Sequence, residues 1–275
     1  MLQEKYLETL RKFRLIDDAF FSACFDDNAK DVEYILRIIL DKSDLKVLKV
    51  QTQKSVENIY GRSVRFDVFA TDTKGKLYNI EVQRADSGAI PQRARYNSVM
   101  LDYHELKKQE NFKELPESFV IFITENDVIG DGEKIYHADR IIRETGKDFG
   151  DGTHIIYVNG SFKGEEGNPL DDLIHDFFCA NPKEMRHKQL AERVSFLKEN
   201  KGDAGKMSSI IAEVFKDEID EVAAIATEKG VAEGKEKTLI ENIRSMMKKL
   251  NMTAQQAMDI LEVPENEQRK YLELI

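Results

Sequence analysis

The sequence predicts an α/β fold in which a mixed central sheet is flanked by helices, with core elements in the order helix, strand, strand, strand, helix, strand. Two observations support this prediction. Residues 62–70 and 77–83 alternate apolar and polar side chains on either side of a short loop, which is typical of a hairpin. Residues 119–124 form an unbroken apolar run rich in β-branched side chains, which indicates a central strand covered on both faces.

The core begins with a helix and a strand. Apolar residues recur at helical spacing over residues 31–40, and the segment 45–53 that follows predicts the first strand. The apolar stripe of this helix consists of Val32, Ile35, Leu36 and Ile39.

The second and third strands carry acidic residues inside otherwise apolar runs. The loop 71–76 contains the Asp and Gly expected of a hairpin turn, so the two strands should pair antiparallel. Side chains alternate along paired strands, which divides these residues between two faces. The apolar face consists of Phe66, Val68, Ala70, Tyr78, Ile80 and Val82, and the polar face of Asp67, Asn79, Glu81 and Gln83. Two carboxylates therefore converge on one face.

A second helix is predicted to begin at Ile90-Pro91, before the apolar strand at 119–124. Arg93 lies one turn before Tyr96, on the border of the apolar face of this helix. That face is expected to consist of Tyr96, Val99, Met100, Tyr103 and Leu106.

The remaining chain predicts a last core strand at 153–158, a short amphipathic helix at 170–178 and a boundary at Pro182. We expect a core domain over residues 1–180, a charged helical linker or packing helices over 181–235, and a small helical tail over 236–275. Near-heptad apolar residues in the linker fit either a helix packed on the core domain or a short homodimer contact through these helices. They are Ile211, Phe215, Val222 and Ile225.

Buried carboxylates at Asp67 and Glu81 require a partner, because an unpaired buried charge costs several kcal/mol. A divalent cation meets this requirement, and Mg²⁺ prefers oxygen ligands while taking only one or two protein carboxylates beside substrate phosphate oxygens. The alternative is that Asp67, Asn79, Glu81 and Gln83 line a solvent-facing side of the sheet and are simply hydrated. The pattern of these two strands leaves both interpretations open.

Composition limits the function classes. With 275 residues and a formal net charge of −10, the chain can bury a substantial core but is not expected to coat nucleic acid nonspecifically. Two cysteines without a C-x-x-C companion predict the reducing cytoplasm. Five dispersed histidines, no glycine-rich phosphate loop and no long apolar run predict no zinc site, no nucleotide cofactor and no membrane contact. Any DNA contact is expected to use a local basic group, although a solvated helix face explains Lys107 and Lys108 better. The group consists of Arg84, Arg93, Arg95, Lys107 and Lys108.

The order of elements, with an acidic hairpin in the second and third strands, resembles the restriction-endonuclease-like core of the PD-(D/E)XK nuclease superfamily. Five segments further resemble its transposase branch, the Rpn-type recombination-promoting nucleases, and they cover most of residues 15–180. They are 17–21, 65–69, 78–83, 92–96 and 119–123. The resemblance implies an Mg²⁺-dependent DNA endonuclease, with Mn²⁺ as a substitute, and DNA as the partner. The three short helical segments of the tail resemble the helix-turn-helix-like tail of this branch, but protein contact explains them equally well.

The resemblance also implies roles for four residues. Asp67 and Glu81 match the metal-binding acids, and Gln83 occupies the usual position of lysine, as is common in this branch. A glutamine can hold the attacking water by hydrogen bonds but supplies no positive charge, which Arg93 could provide at the scissile phosphate. The alternative for Arg93 is a surface arginine that covers the helix edge.

A third acid from the first helix is a feature of some superfamily members. Asp31 and Glu33 are the candidates, although a solvated helix face explains Glu33 better, since it lies off the apolar stripe. Asp17 and Asp18 are expected to cap or begin a helix and are not assigned to the metal. The chain is therefore predicted to be either a metal-dependent nuclease or a catalytically silent module that binds DNA or a protein through the same face.

Overall fold

The computed structural model describes residues 10–106 and 111–199, with shorter stretches at 239–240, 243–245, 247, 253–261, 263, 268 and 271–272. The chain divides into two compact units, Met1–Met207 and Ser208–Ile275. All four predicted site residues belong to the first unit. The apolar stripe 211–225 and Lys107 and Lys108 lie outside the described residues.

Eight strands are found in the described part of the chain. They are β1 (Val47–Val56), β2 (Val64–Asp72), β3 (Leu77–Gln83), β4 (Ser118–Thr124), β5 (Ile135–Ala138), β6 (Ile141–Ile142), β7 (Lys147–Asp148) and β8 (Thr153–Asn159). Six of them form a mixed sheet in the order β1-β2-β3-β4-β8-β5, while β6 and β7 form a separate hairpin. Strands β3, β4 and β8 are parallel, and the other neighbours are antiparallel.

Six α-helices have both ends within the described residues. They are α1 (Asp18–Phe25), α2 (Ala29–Leu40), α3 (Pro91–Glu105), α4 (Pro169–Phe178), α5 (Lys188–Glu199) and α6 (Ala254–Ile260). The series α2, β1, β2, β3, α3, β4 confirms the predicted core order. Strands β5 to β7 were not predicted, while helix α1 begins where Asp17 and Asp18 were expected to cap or begin a helix.

The ends of the helices follow local chemistry. Asn28 accepts a hydrogen bond from the Asp31 backbone N–H at the start of α2, and Pro91 begins α3, where its missing N–H has no cost. A capping box of Thr253 and Gln256 begins α6, with both reciprocal hydrogen bonds formed. Within the described residues, no helix is long and apolar enough to span a membrane.

Helix α3 packs over the polar face of the hairpin, but with a different side from the predicted one. Val99 and Tyr103 are about half exposed, which contradicts the predicted apolar face. The buried stripe instead has helical spacing and combines small, polar and apolar side chains. It consists of Ala94, Asn97, Ser98, Met100 and Leu101, of which Met100 was predicted to be buried. Helices α1 and α4 contact each other elsewhere, through the rings of Phe21 and Phe177.

Candidate active site

The candidate site lies where strands β2 and β3 separate. The two strands pair from Val68 opposite Ile80 to the turn, and this pairing does not continue to Asp67. Beyond this point a side chain replaces the backbone as the hydrogen-bond acceptor: Asp67 Oδ2 accepts a hydrogen bond from the Val82 backbone N–H at 3.1 Å. The divergence opens space beside the carboxyl end of β3, where Glu81 lies.

The register confirms most of the predicted division of side chains. Val68 pairs with Ile80 and Ala70 with Tyr78, as predicted for the apolar face. Phe66 departs from the prediction, because it stacks with Phe69 and joins the apolar cluster beneath α3. The strand has left its pairing with β3 at this point, so strict alternation no longer determines where Phe66 packs.

The polar face of the hairpin is buried, so the interpretation of a hydrated sheet face is wrong. Asp67 is 4% exposed, and Asn79 and Glu81 are 0% exposed. Helix α3 covers this face, on which Phe122 of β4 and Tyr157 of β8 lie in line with Glu81. The carboxylates therefore lie in a region where an uncompensated charge is costly.

Arg93 is the cation that contacts this site. Its Nη2 donates to Glu81 Oε2 at 3.0 Å, and its Nη1 donates to the Gly88 carbonyl at 2.9 Å and to Gln83 Oε1 at 3.4 Å. The alternative of an arginine that only covers the helix edge is therefore wrong. Arg93 links the acid, the amide and the turn that precedes α3, and 38% of its side chain stays exposed.

The 3-10 turn Asp86–Gly88 explains how Gln83 and Arg93 approach each other. A Cβ atom at position 88 would overlap Gln83 Oε1. A larger residue here would therefore displace the Gln83 side chain from its present position. Sequence patterns marked this segment as a loop but did not reveal that Gly88 shapes the site.

Burial raises the pKa of both carboxyls. The pKa of Asp67 is raised well above its ordinary value, first by desolvation and then by the charge of Glu81. Desolvation also raises the pKa of Glu81, to about 7, although the Arg93 guanidinium opposes the shift. The protein therefore holds two acids that resist ionisation near neutral pH unless a positive charge approaches them.

The donor atoms fit a small divalent cation. Glu81 Oε1 is buried and has no hydrogen-bond partner, while Oε2 is held by Arg93. No group of three or more His, Cys, Asp or Glu side chains arranged for a metal exists in the described part of the chain. Two carboxylates suit Mg²⁺, which usually keeps several waters and binds substrate phosphates through its remaining positions.

The candidates for a third acid are engaged in other contacts. Glu33 accepts a hydrogen bond from the Val47 backbone N–H at 3.0 Å and pairs with Arg37, and Asp31 accepts from Asn28 and Gln189. Neither contacts the predicted metal ligands.

Asp18 is the acid that sequence reasoning missed. It is the first residue of α1, and its charge raises the pKa of both Asp67 and Glu81. Its Oδ1 accepts a hydrogen bond from Gln53 Nε2 at 3.2 Å. Asp17, which precedes it, occupies the N-cap position, as the sequence predicted. No local pattern distinguishes a helix-initiating aspartate beside a site from one elsewhere.

The predicted basic group needs correction at Arg84. This arginine pairs with Asp17 at 3.2 Å and with Glu125 at 3.0 Å, and Arg14 contacts both acids at 3.4 Å. These four side chains form a closed network that joins α1 to the ends of β3 and β4. Arg84 is thereby neutralised by neighbouring carboxylates rather than presented to a phosphate.

An open cleft of about 700 Å³ lies beyond the ends of β4 and β8. Phe162, Ile174 and Phe178 contribute apolar surface, and Lys163 and Glu125 contribute charge of both signs. None of the four predicted site residues lines this cleft. The carboxylate site is therefore a separate feature.

Residues 28–174, more than half of the chain, match the family model described as PD-(D/E)XK nuclease family transposase. The chain belongs to this family. The matched segment contains Asp67, Glu81, Gln83 and Arg93, and the mixed sheet flanked by helices is the architecture expected of it. No curated protein and no solved structure is significantly similar to the chain. Membership in this nuclease family indicates a nuclease- or transposase-like function with DNA as the substrate.

Proposed function

We propose that this PD-(D/E)XK family member is a divalent-metal-dependent DNA endonuclease that hydrolyses phosphodiester bonds in recombination or mobile-element processing. The observation that carries the proposal is the pair of buried carboxylates where β2 and β3 separate. Asp67 and Glu81 are almost inaccessible to solvent, have raised pKa values, and leave Glu81 Oε1 without a partner. Such a pair is costly for the fold alone and is typical of a metal-binding site.

Asp67 and Glu81 would hold Mg²⁺, for which Mn²⁺ can substitute. When bound, the cation supplies Lewis acidity toward a phosphoryl oxygen and lowers the pKa of a coordinated water. Gln83 positions the attacking water through its amide, and it cannot accept the proton of that water as a base would. Because Gln83 positions the water without deprotonating it, activation of the water would depend on the cation.

Arg93 changes partner in this proposal. Without a cation, its guanidinium balances the charge of Glu81 at 3.0 Å. A cation beside Glu81 removes the need for this contact and leaves Arg93 free to bind the scissile phosphate, because its side chain is partly exposed and anchored through the Gly88 carbonyl. Arg93 would therefore pair with Glu81 before the substrate binds and with the scissile phosphate afterwards.

A second candidate function is a catalytically silent module that binds DNA or protein through the same face. The ion pair of Arg93 with Glu81 favours it, since this pair neutralises Glu81 without a cation. The uncharged Gln83 at the usual lysine position points in the same direction. The nuclease is favoured by Glu81 Oε1, which is buried without a hydrogen-bond partner. If the ion pair served only to stabilise the fold, a hydrogen bond to this oxygen would make the protein more stable.

Nicking of supercoiled plasmid by the purified chain, with and without Mg²⁺ or Mn²⁺, tests the proposal. We expect metal-dependent cutting that is lost in Asp67→Ala and Glu81→Ala and kept in Glu144→Ala, an exposed carboxylate in the β6–β7 turn. Absence of cutting by the wild type, with DNA binding preserved, would support the silent module.

We also infer that the protein acts in the cytoplasm, as predicted. Cys24 is buried and Cys179 is partly buried, and both are free thiols. Reduced cysteines fit a compartment that keeps thiols reduced. The narrower assignment to the Rpn-type branch is part of the same proposal, and it rests on the sequence resemblance of the segments around the site.

A further inference from the structure

The loop that joins β1 to β2, residues 57–63, lies at the edge of the sheet that carries the candidate site. Strand β2 runs antiparallel to β3 with Val68 opposite Ile80, so the first residues of β2 extend past the carboxyl end of β3. Glu81 and Gln83 are at that same end. The loop and the carboxylates therefore lie at the same end of β3.

Polar contacts fix the loop against helix α3. Tyr96 Oη donates to the Arg62 carbonyl at 2.5 Å, and Asn58 Nδ2 donates to Tyr96 Oη at 3.2 Å. The Asn58 backbone N–H donates to Ser63 Oγ at 3.1 Å. These contacts use backbone groups, Asn58 and Tyr96, so the loop is held without its apolar side chains and without the Arg62 guanidinium.

Two large apolar side chains at the tip of the loop stay in solvent. Tyr60 is 94% exposed and Ile59 is 81% exposed, although the surrounding backbone is anchored. Exposed apolar residues on a fixed loop beside a site are typical of a contact surface. They could have packed against α3, which the same loop already touches.

Three arginines lie in the loop, at the start of strand β2, which follows it, and on α3 next to Tyr96, which holds the loop. Arg62, Arg65 and Arg95 are exposed and form no ion pair with any described residue, and Glu57 is the only acid among residues 57–65. Most described arginines elsewhere in the first unit are paired with carboxylates. Examples are Arg14, Arg37, Arg84, Arg140 and Arg186. A local positive patch on a chain with net charge −10 is complementary to a polyanion.

We propose that the loop 57–63 binds duplex DNA beside the scissile phosphate. This inference rests on the proposed function only in taking DNA as the substrate. Arg62, Arg65 and Arg95 contact phosphates, while Ile59 and Tyr60 lie against sugars and bases in the adjacent groove. The loop sets substrate affinity and leaves the chemistry to the carboxylate site.

Binding of a fluorescein-labelled duplex of mixed sequence in EDTA, followed by anisotropy over a series of salt concentrations, tests the proposal with the full chain. Arg62→Ala should raise Kd several-fold and reduce the slope of log K against log salt by about 1, because one phosphate contact is lost. Arg62→Lys should retain the slope. Tyr60→Ala should raise Kd roughly fivefold or more with an unchanged slope, since stacking and apolar contact are not ionic.

Matched controls lie in the segment of chain that connects β5 to β8, the two strands at the opposite edge of the sheet. Arg143 is an exposed arginine without an ion pair in the described part of the chain, and Phe149 is 60% exposed. Arg143→Ala and Phe149→Ala should bind the duplex as the wild type does. Circular dichroism spectra of all variants should match, because none of the replaced side chains holds the loop or the core.

Unchanged Kd and salt slope in Arg62→Ala and Tyr60→Ala, or no binding of the duplex by the wild type, would overturn the proposal. Tighter binding of the labelled single strand than of the duplex would overturn the choice of duplex DNA. If the variants lose binding while the wild type shows no cleavage with any metal, the loop assignment stands and the proposed nuclease function fails. If the wild type cleaves DNA and the loop variants bind it as tightly as the wild type, the nuclease function stands and the loop assignment fails.

Discussion

Glu81→Gln should become more stable relative to the wild type as the pH rises, when no metal is present. This is expected even though Glu81 is a proposed metal ligand. The carboxyl is fully buried, and desolvation raises its pKa from 4.5 to about 7. Between these two values the folded state keeps a proton that the unfolded state has lost. The stabilising effect of this proton is complete below pH 4.5 and is lost as the pH rises through about 7.

The magnitude follows from the two pKa values. The difference, 7 − 4.5 = 2.5, corresponds to about 3 kcal/mol of unfolding free energy that the wild type loses across this pH range. Glutamine does not titrate, so the stability of Glu81→Gln relative to wild type should rise by about 3 kcal/mol between pH values near 4.5 and 8. Loss of the Glu81 charge also removes the repulsion that raises the pKa of Asp67, which acts in the same direction.

Urea denaturation in EDTA at several pH values measures this difference. The chain has no tryptophan, so the near-ultraviolet circular dichroism of its nine tyrosines is a suitable signal. Addition of Mg²⁺ at about pH 8 should stabilise the wild type by about 3 kcal/mol at a hundredfold excess over Kd, and should have little effect on Glu81→Gln. Glu144→Gln, at an exposed position, serves as the control.

A stability difference that does not change with pH would refute the reasoning. It would mean that Arg93 compensates the charge of Glu81 completely, so that ionisation has no cost in the folded protein. A variant that becomes relatively less stable as the pH rises would show that the carboxylate stabilises the fold, which is the behaviour expected of a purely structural ion pair.

Of three further predictions, two concern the surroundings of the site and the third concerns the contact of α4 with the segment before α5. Gly88→Ala should lower the cleavage rate roughly hundredfold with little change in DNA affinity, because the added Cβ displaces Gln83, and an unchanged rate would show that Gln83 does not position the water. Asp18→Asn should lower the pKa of both site carboxyls and shift the acidic limb of the pH–rate profile to lower pH, and a profile identical to wild type would contradict the electrostatic contact. Asp176→Asn should destabilise the protein by about 2–3 kcal/mol at neutral pH, since Asp176 accepts hydrogen bonds from the His187 ring and backbone N–H. The pKa of Asp176 is lowered, so its contribution is present at neutral pH and is lost on acidification; a urea midpoint equal to wild type at neutral pH would refute it.

The sequence predicted the elements of the core and the pairing of the acidic hairpin. Strand β3 was predicted at 77–83 and is found at Leu77–Gln83, and its antiparallel pairing with β2 from Val68 to the turn was predicted as well. These features depend on the alternation of side chains and on turn residues, which are local properties of the chain. Strand β1 was predicted at 45–53 but extends to Val56, continuing past the left-handed Gln53.

Helix α3 shows where local patterns fail. Of its predicted apolar face, Met100 is buried but Val99 and Tyr103 are about half exposed, and the buried stripe is completed by Ala94, Asn97, Ser98 and Leu101. The face that α3 covers contains Asp67, Asn79 and Glu81 and therefore accepts small and polar partners. The side of a helix that becomes buried depends on the surface it meets, which its own periodicity does not contain.

By itself, the sequence determined the type of fold and the family resemblance, and it predicted Asp67 and Glu81 as the metal-binding acids, because strand alternation and turn chemistry act over a few residues. Only the tertiary structure decided that these carboxylates are buried, that Arg93 pairs with Glu81, that Arg84 is neutralised by Asp17 and Glu125, and that Asp18 influences the site. The charge state of a carboxyl depends on burial and on charges within a few ångströms, and segments distant in the sequence supply both.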